Sequence, residues 1–548
     1  MAGRELVRGR LGAVSAASPL AVEAGVEVLA NGGNAVDAAI AAALALGVVG
    51  PAGSGLGGGG FAVVWSAKDR RAQALDFREV APAAATREMF AADDAKAQPS
   101  RSVAGGLAVA VPAEPAGLAA LHDRLGKLPL ARIVEPAVRL ARDGFSPTPR
   151  LVRSSQDFDK KLPADEPMRR WLVPNGKPLT EDVRVKRPQL AATLARFGKE
   201  GKRALYAGPL ADDLIASVAA HGGLLTAADL AAYQPQWREP IAGAFRGRKL
   251  YAVPPPAGGA TAIEALQYLD ALPPLKKGSL GSSAWYHRVA EALTHAFADR
   301  ARWMGDPAFF KVPLERLLSS DYARSLAARF REDGVLPHDQ YGTPATGAGV
   351  EPPRDHGTSH VCVVDGEGNA VALTTTVNLE LGARFEAPRS GVVLNDQMDD
   401  FATRPGQPNA FGLVGAEANA IAAGKRPTSS MAPLLVVDDA GVVACAGGSG
   451  GPTIVASTVQ AVAAIVDEDA DAQTAVSTPR IYAQWQPEAI AVEADVPADV
   501  VEALQKRGHK VRVLPREGFY PAAQVIVRRG ETLEAASDPR KGGQPAAP

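Results

Sequence analysis

The chain has 548 residues, with 59 Lys and Arg against 60 Asp and Glu and a net charge of −1. That balance provides no electrostatic drive toward nucleic acid or an anionic membrane, so neither is expected as a partner. The length allows about three or four domains or one large layered enzyme, and the two cysteines, Cys362 and Cys445, lie in apolar runs that suggest buried free thiols, with no disulfide framework, metal-ligand spacing or cofactor motif.

Met1 to Arg10 is basic but has no apolar core. The chain as written therefore lacks an export signal and is expected in the cytoplasm, or in the periplasm or outside the cell if such a signal has been removed. The longest apolar stretch, Ala38 to Val49, falls well short of the roughly 20 residues of a membrane span. Asn34 as N-cap, Asp37 in the first turn and Gly47 near the end suggest a buried helix instead. Residues 53–60, Gly-Ser-Gly-Leu-Gly-Gly-Gly-Gly, offer a possible phosphate cradle, but they lack the Gly-Lys-Ser/Thr ending of a P-loop. Arg78, in Asp76-Phe77-Arg78-Glu79, reads at first as a structural ion pair with Asp76 or Glu79. Residues 105–331 are mainly helical in pattern, as in 115–125, 131–143 and 285–304. Residues 332–357 are rich in Pro and Gly and poor in apolar side chains, which predicts a flexible tether ending at Thr358.

From Thr358 onward strands dominate. Residues 358–365 and 370–378 are two strand patterns joined by the turn signal Gly366-Glu367-Gly368-Asn369. A short hairpin loop brings Thr358 opposite residues 376–378, with Thr376 and Asn378 on one face beside it. A threonine hydroxyl is a weak nucleophile without a neighbouring base, and one source of that base is the residue's own α-amine. A cut between Gly357 and Thr358 creates that amine, whose ordinary pKa of about 7.7–8.0 suits proton transfer near neutral pH. The layout thus suggests a self-cutting precursor, although an ordinary hairpin with a polar face fits the same residues. Residues 395–400 and 447–451 read as turns, and a further helix is expected near 457–467.

Several blocks, taken in order, resemble the γ-glutamyltranspeptidase family. They are Gly32 to Ala39, Gly53 to Phe61, Leu75 to Glu79, Leu140 to Phe145, Pro254 to Gly259, Thr358 to His360, Thr374 to Asn378, Ser390 to Phe401, Lys425 to Met431 and Gly447 to Gly451. The resemblance implies an α+β, four-layer αββα sandwich of the N-terminal nucleophile hydrolase superfamily, cut into a large subunit (1–357) and a catalytic small subunit (358–548). It implies Thr358 as nucleophile, Thr376 orienting it, and Gly450 and Gly451 as the oxyanion hole. It assigns Arg78, Ser429 and Ser430 to a substrate α-carboxylate, and Asn378, Gln397 and Asp400 to its α-ammonium, with cation and anion at opposite sides of the pocket.

The implied activity is cleavage of γ-glutamyl amides through an ester on the enzyme, passed to water or to an amino acid or peptide acceptor. An acylase of the same fold acting on glutaryl side chains is the alternative. Nucleotide binding at residues 53–60 is the alternative from another class. Residues 405–415 resemble a lid loop, with Phe411 where several members have tyrosine. Glu380 and Arg384 depart from the family pattern and are expected at the pocket rim.

Overall fold

The computed structural model describes residues 6–91, 99–342, 357–515 and 521–548. Two antiparallel sheets lie face to face between outer layers of helices. The first runs Gly12–Ala16, Gly357–Asp365, Ala370–Asn378, Gly59–Ser66, Arg71–Phe77, Gln236–Arg238. The second runs Val7–Gly9, Thr532–Ser537, Ala522–Arg529, Gly441–Ser449, Leu434–Asp438, Arg248–Ala252, Ile241–Phe245. The order interleaves strands from both sides of residue 357 in each sheet, so 1–357 and 358–548 are not separate domains.

Strand alternation sorts the core. Phe61, Val63, Trp65, Cys362, Ala370 and Ala372 belong to the cluster between the sheets, which continues into the helices Gly259–Ala271, Ser283–Trp303 and Thr453–Asp467. Their neighbours Ala62, Val64, Val361, Val363, Val371 and Leu373 join the cluster under the helices Pro19–Ala30 and Ala35–Val49. Because both faces are covered, residues 361–364 and 370–373 are apolar on both faces rather than alternating with polar residues, and the polar side chains gather at the Thr358–His360 and Thr374–Asn378 ends. Cys362 and Cys445 are free and buried.

The helix Ala35–Val49 is buried at every position, which is why its sequence has no polar face. Asn34 and Asp37 form a reciprocal cap, at 3.0 and 3.2 Å. Asp365, in the hairpin turn, accepts the Ala35 N–H at 3.0 Å and so ties the helix to the Thr358 strand. Gly47 does not end this helix: a Cβ there would stand 2.9 Å from the Gly55 Cα, so the residue is small to let two backbones touch.

The expected helices are found at Glu114–Leu125, Leu130–Asp143 and Ser283–Trp303. The start of the expected tether is packed rather than loose, with Arg288 on Glu332 at 2.6 Å, His338 on the Trp485 carbonyl at 2.9 Å and Leu336 buried. The rest of it, 343–356, lies outside the described residues. Among the described residues no helix is long and apolar enough to cross a membrane.

Candidate active site

Strand register places Thr358 directly opposite Thr376, and an irregularity between Gly357 and Thr358 sets Gly357 opposite Asn378. The Thr358 hydroxyl lies 3.0 Å from Thr376 Oγ1 and donates to the Gly357 carbonyl at 2.8 Å. The Thr376 hydroxyl donates to the same carbonyl, and the Asn378 N–H donates to Thr376 Oγ1 at 2.9 Å. Both hydroxyls therefore converge on the peptide bond before Thr358. His360 points the same way as Thr358, but its Nδ1 is bonded to Thr374 at 2.8 Å and burial pushes its pKa down to about 3. Among the described residues no carboxylate or imidazole is hydrogen-bonded to the Thr358 hydroxyl.

Gly450 and Gly451 lead into the helix Thr453–Asp467 with φ of 126° and 58°. A Cβ on Gly450 would stand 2.5 Å from Thr453 Oγ1, so both conformation and space require glycine there. Gly451, Pro452 and Ile454 line a small cavity together with Thr358, Thr376, Asn378, Arg78, Gln397, Asp400, Ser429 and Ser430, under a cover of Phe411 and Leu413. Gly450, next to Gly451 in the chain, is not among the lining residues. The helix N-terminus beside it favours negative charge. The cavity has about 20 Å³ of water-accessible volume, room for about one water. A larger ligand requires the cover or the charged wall to move.

The charged wall differs from expectation. Arg78 and Asp400 are not on opposite sides: the Arg78 Nη2 is paired directly with Asp400 Oδ2. Two opposite charges in a dry pocket lower their energy by meeting when nothing lies between them. Arg78 is fully buried; it also lies 3.5 Å from Glu79 and donates to the Pro427 carbonyl at 3.1 Å. Asp76 takes the Arg78 backbone N–H at 2.9 Å rather than its guanidinium, and the other Asp76 oxygen accepts from Arg238 at 3.3 Å. Burial pushes the Glu79 carboxyl up to about 8. Gln397 Nε2 donates to Asp400 Oδ2 at 2.7 Å, while Gln397 Oε1, on the same cavity-lining side chain, is buried with no hydrogen-bond partner.

The segment around Asn395 is no solvated turn. Asn395 is fully buried and holds the Ala110 and Gln397 N–H groups, both at 3.0 Å, and the Gly57 carbonyl at 2.7 Å. Ser429 Oγ accepts the Met431 N–H at 3.1 Å and Ser430 Oγ accepts from Arg300 at 3.4 Å.

Glu380 and Arg384 do not line this cavity. Glu380 takes the Ser154 hydroxyl, and Arg384 stacks on Phe158, 5.5 Å from the ring centroid, beside a different opening shared with Lys161 and His221. Left-handed backbone at Leu381 and Arg384, with φ of 61° and 67°, turns the segment away. The 53–60 glycines are likewise committed: a Cβ on Gly57 or Gly58 would come within 2.0 Å of the Val393 carbonyl or 1.9 Å of the Thr376 carbonyl. Their bare backbone packs against Val393 and the Thr376 strand, not around a phosphate.

Three contributors carried no signal in the sequence. Arg300 is buried against Asp400 and Arg78, and burial pushes its pKa down to about 10. Glu114 takes the Thr375 hydroxyl from behind the site. Asp399 anchors the cover by accepting the Ala410 N–H at 3.0 Å, while Ser102 donates to its other oxygen at 2.7 Å.

A helix–sheet–sheet–helix sandwich of this kind is the fold of the N-terminal nucleophile hydrolases. The family profile described as gamma-glutamyltranspeptidase matches residues 21–548, and the chain belongs to that family. Among its relatives, a glutathione hydrolase proenzyme of Escherichia coli (strain K12) is 37% identical over 536 residues, covering 97% of this chain and 91% of the relative. The crystal structure of a cephalosporin acylase from Bacillus halodurans superposes with a TM-score of 0.87 at 28% identity, over 100% of this chain and 97% of that one. A Helicobacter pylori gamma-glutamyltranspeptidase structure matches with a TM-score of 0.55 at 34% identity, over 58% of this chain and 92% of that one.

Proposed function

We propose that the protein cuts itself between Gly357 and Thr358 and then hydrolyses or transfers γ-glutamyl groups from glutathione and related amides. The convergence of the Thr358 and Thr376 hydroxyls on the Gly357 carbonyl carries this reading. In the intact chain Thr358 Oγ attacks the Gly357 carbonyl carbon while Thr376 donates to the carbonyl oxygen. The C–N bond breaks as the C–O ester forms, the freed nitrogen takes the hydroxyl proton, and water then hydrolyses the ester. The products are a Gly357 carboxylate and a Thr358 α-amine, making 1–357 and 358–548 the large and small subunits.

In the second reaction that amine takes the Thr358 hydroxyl proton as Oγ attacks the γ-carbonyl of the donor. Gly450 and Gly451 N–H groups hold the oxyanion, and the amine returns the proton to the leaving nitrogen. Water or an amino acid or peptide amine then takes the glutamyl group from the ester. The Arg78–Asp400 pair opens to receive a zwitterion: the α-carboxylate takes Arg78, Ser429 and Ser430, and the α-ammonium takes Asp400, Asn378 and the unpartnered Gln397 oxygen. That oxygen favours an amine-bearing donor over the glutaryl group of an acylase, despite the close overall superposition on one.

Denaturing electrophoresis with mass spectrometry tests the proposal. The wild type should separate into chains beginning at residues 1 and 358, and Thr358→Ala should remain one inactive chain. An uncut wild type that hydrolyses γ-glutamyl anilide would overturn it.

A further inference from the structure

We infer that the protein holds a divalent transition-metal ion, of the kind zinc represents, at His287, Glu291 and His509, on a face of the molecule that the reaction does not use. One donor atom from each of the three residues lies within 4.8 Å of the others. His287 and Glu291 stand one turn apart on the helix Ser283–Trp303, which puts both side chains on one face. His509 follows the helix Ala498–Lys506.

The donors are already oriented. His287 Nε2 is 2.7 Å from the Arg331 carbonyl, an oxygen that can only accept, so this nitrogen carries the proton and Nδ1 offers a lone pair. That Nδ1 faces His509 Nε2 at 2.7 Å. Two imidazole nitrogens meeting this way share one proton. A metal ion would take the place of that proton, with His509 shifting to the tautomer that carries its single proton on Nδ1. Glu291 accepts the Tyr341 hydroxyl at 2.7 Å, which leaves a carboxylate lone pair for the ion and supplies an outer-shell partner.

Two imidazoles and one carboxylate form a recurrent zinc ligand set, with the fourth position left to water. His287 and Glu291 are buried while His509 is half-buried, and a pocket lined by Glu291, His509, Tyr341 and Lys510 leads to the cluster and provides an entry path. The ion would tie a helix of residues 1–357 to a loop of residues 358–548. Given the proposed cut, it becomes a clasp between the two subunits.

The test uses the purified enzyme stripped with a chelator and titrated with Zn²⁺ against a chromophoric competitor. Expected are one Zn²⁺ per 548-residue chain, or per subunit pair if the chain is cut, and a Tm that rises with Zn²⁺ by mass action. His509→Ala and Glu291→Gln should each weaken binding by more than the roughly 10- to 100-fold typical of losing an outer-shell partner, and should abolish the Tm rise. Tyr341→Phe removes only the outer partner and should bind more tightly than Glu291→Gln, which separates ligand loss from a damaged fold. Hydrolysis of γ-glutamyl anilide should persist in all three variants. A wild type that binds no Zn²⁺, or variants with unchanged stoichiometry and affinity, would overturn the inference.

Discussion

Asp400→Asn tests whether the charged wall recognises an amine or merely steadies Arg78. Asp400 pairs with Arg78 and with Gln397, and its side chain is 11% exposed. The amide keeps the shape and removes the charge. For a γ-glutamyl donor the change removes one charge-assisted contact to the α-ammonium, worth about 1.5–3 kcal/mol. At about 1.36 kcal/mol per factor of ten, kcat/KM should fall about 10- to 150-fold. A glutaryl donor has the same carboxylate but no amine. It loses no contact, and it meets an Arg78 released from its partner, so its kcat/KM should hold or rise. The informative quantity is the ratio of kcat/KM for γ-glutamyl p-nitroanilide to that for glutaryl p-nitroanilide, because any loss of folded enzyme cancels in it. A fall in that ratio of about 10- to 150-fold is expected. Equal losses on both substrates would refute the reasoning and reduce Asp400 to a support for Arg78.

Other perturbations reach different parts of the site. Thr376→Val removes one donor to the Gly357 carbonyl, and the cut should slow about a hundred- to a thousandfold, followed as loss of the full-length band. Phe411→Tyr restores a hydroxyl to the buried cover and should shift the partition of γ-glutamyl ester from hydrolysis toward transfer; released glutamate against acceptor product measures it, and an unaltered ratio would remove the cover from control. Burial raises the Glu114 carboxyl from 4.5 to about 7. The unfolded chain therefore ionises first, and this group's stabilisation is full below pH 4.5 and is lost as pH rises toward 7, at most about 3 kcal/mol. Glu114→Gln should flatten that part of the Tm against pH curve, and an unchanged slope would show that Glu114 is not its source.

The elements legible in the sequence are those with a local signature. The Thr358–Thr376 pairing follows from two β-branched strand runs joined by a Gly-rich turn, and the Ala35–Val49 helix follows from a cap and an unbroken apolar stretch. Arg78 and Asp400 are both recognisable as site residues, but their contact spans 322 positions, and no pattern within either segment reveals it. Asp399 is hidden for a similar reason: its role depends on which backbone N–H groups the cover presents, and neighbouring Asp396 and Asp400 look the same in sequence. Glu380 and Arg384 are misplaced by sequence reasoning because positive φ, which non-glycine residues seldom adopt, redirects the chain just beyond Asn378. The packed start of the tether escapes it because His338 and Tyr341 are anchored by side-chain bonds to distant segments, at Trp485 and Glu291.

The interleaving of strands from both sides of residue 357 has a consequence for the lifetime of the enzyme. Before a cut, every strand is on one thread and refolding is unimolecular. After it, each sheet contains strands from two molecules, so reassembly becomes concentration-dependent while the folded contacts stay the same. A single nick thus turns a reversible fold into a ratchet, whose persistence is governed by the barrier to first opening rather than by the balance between folded and unfolded chains.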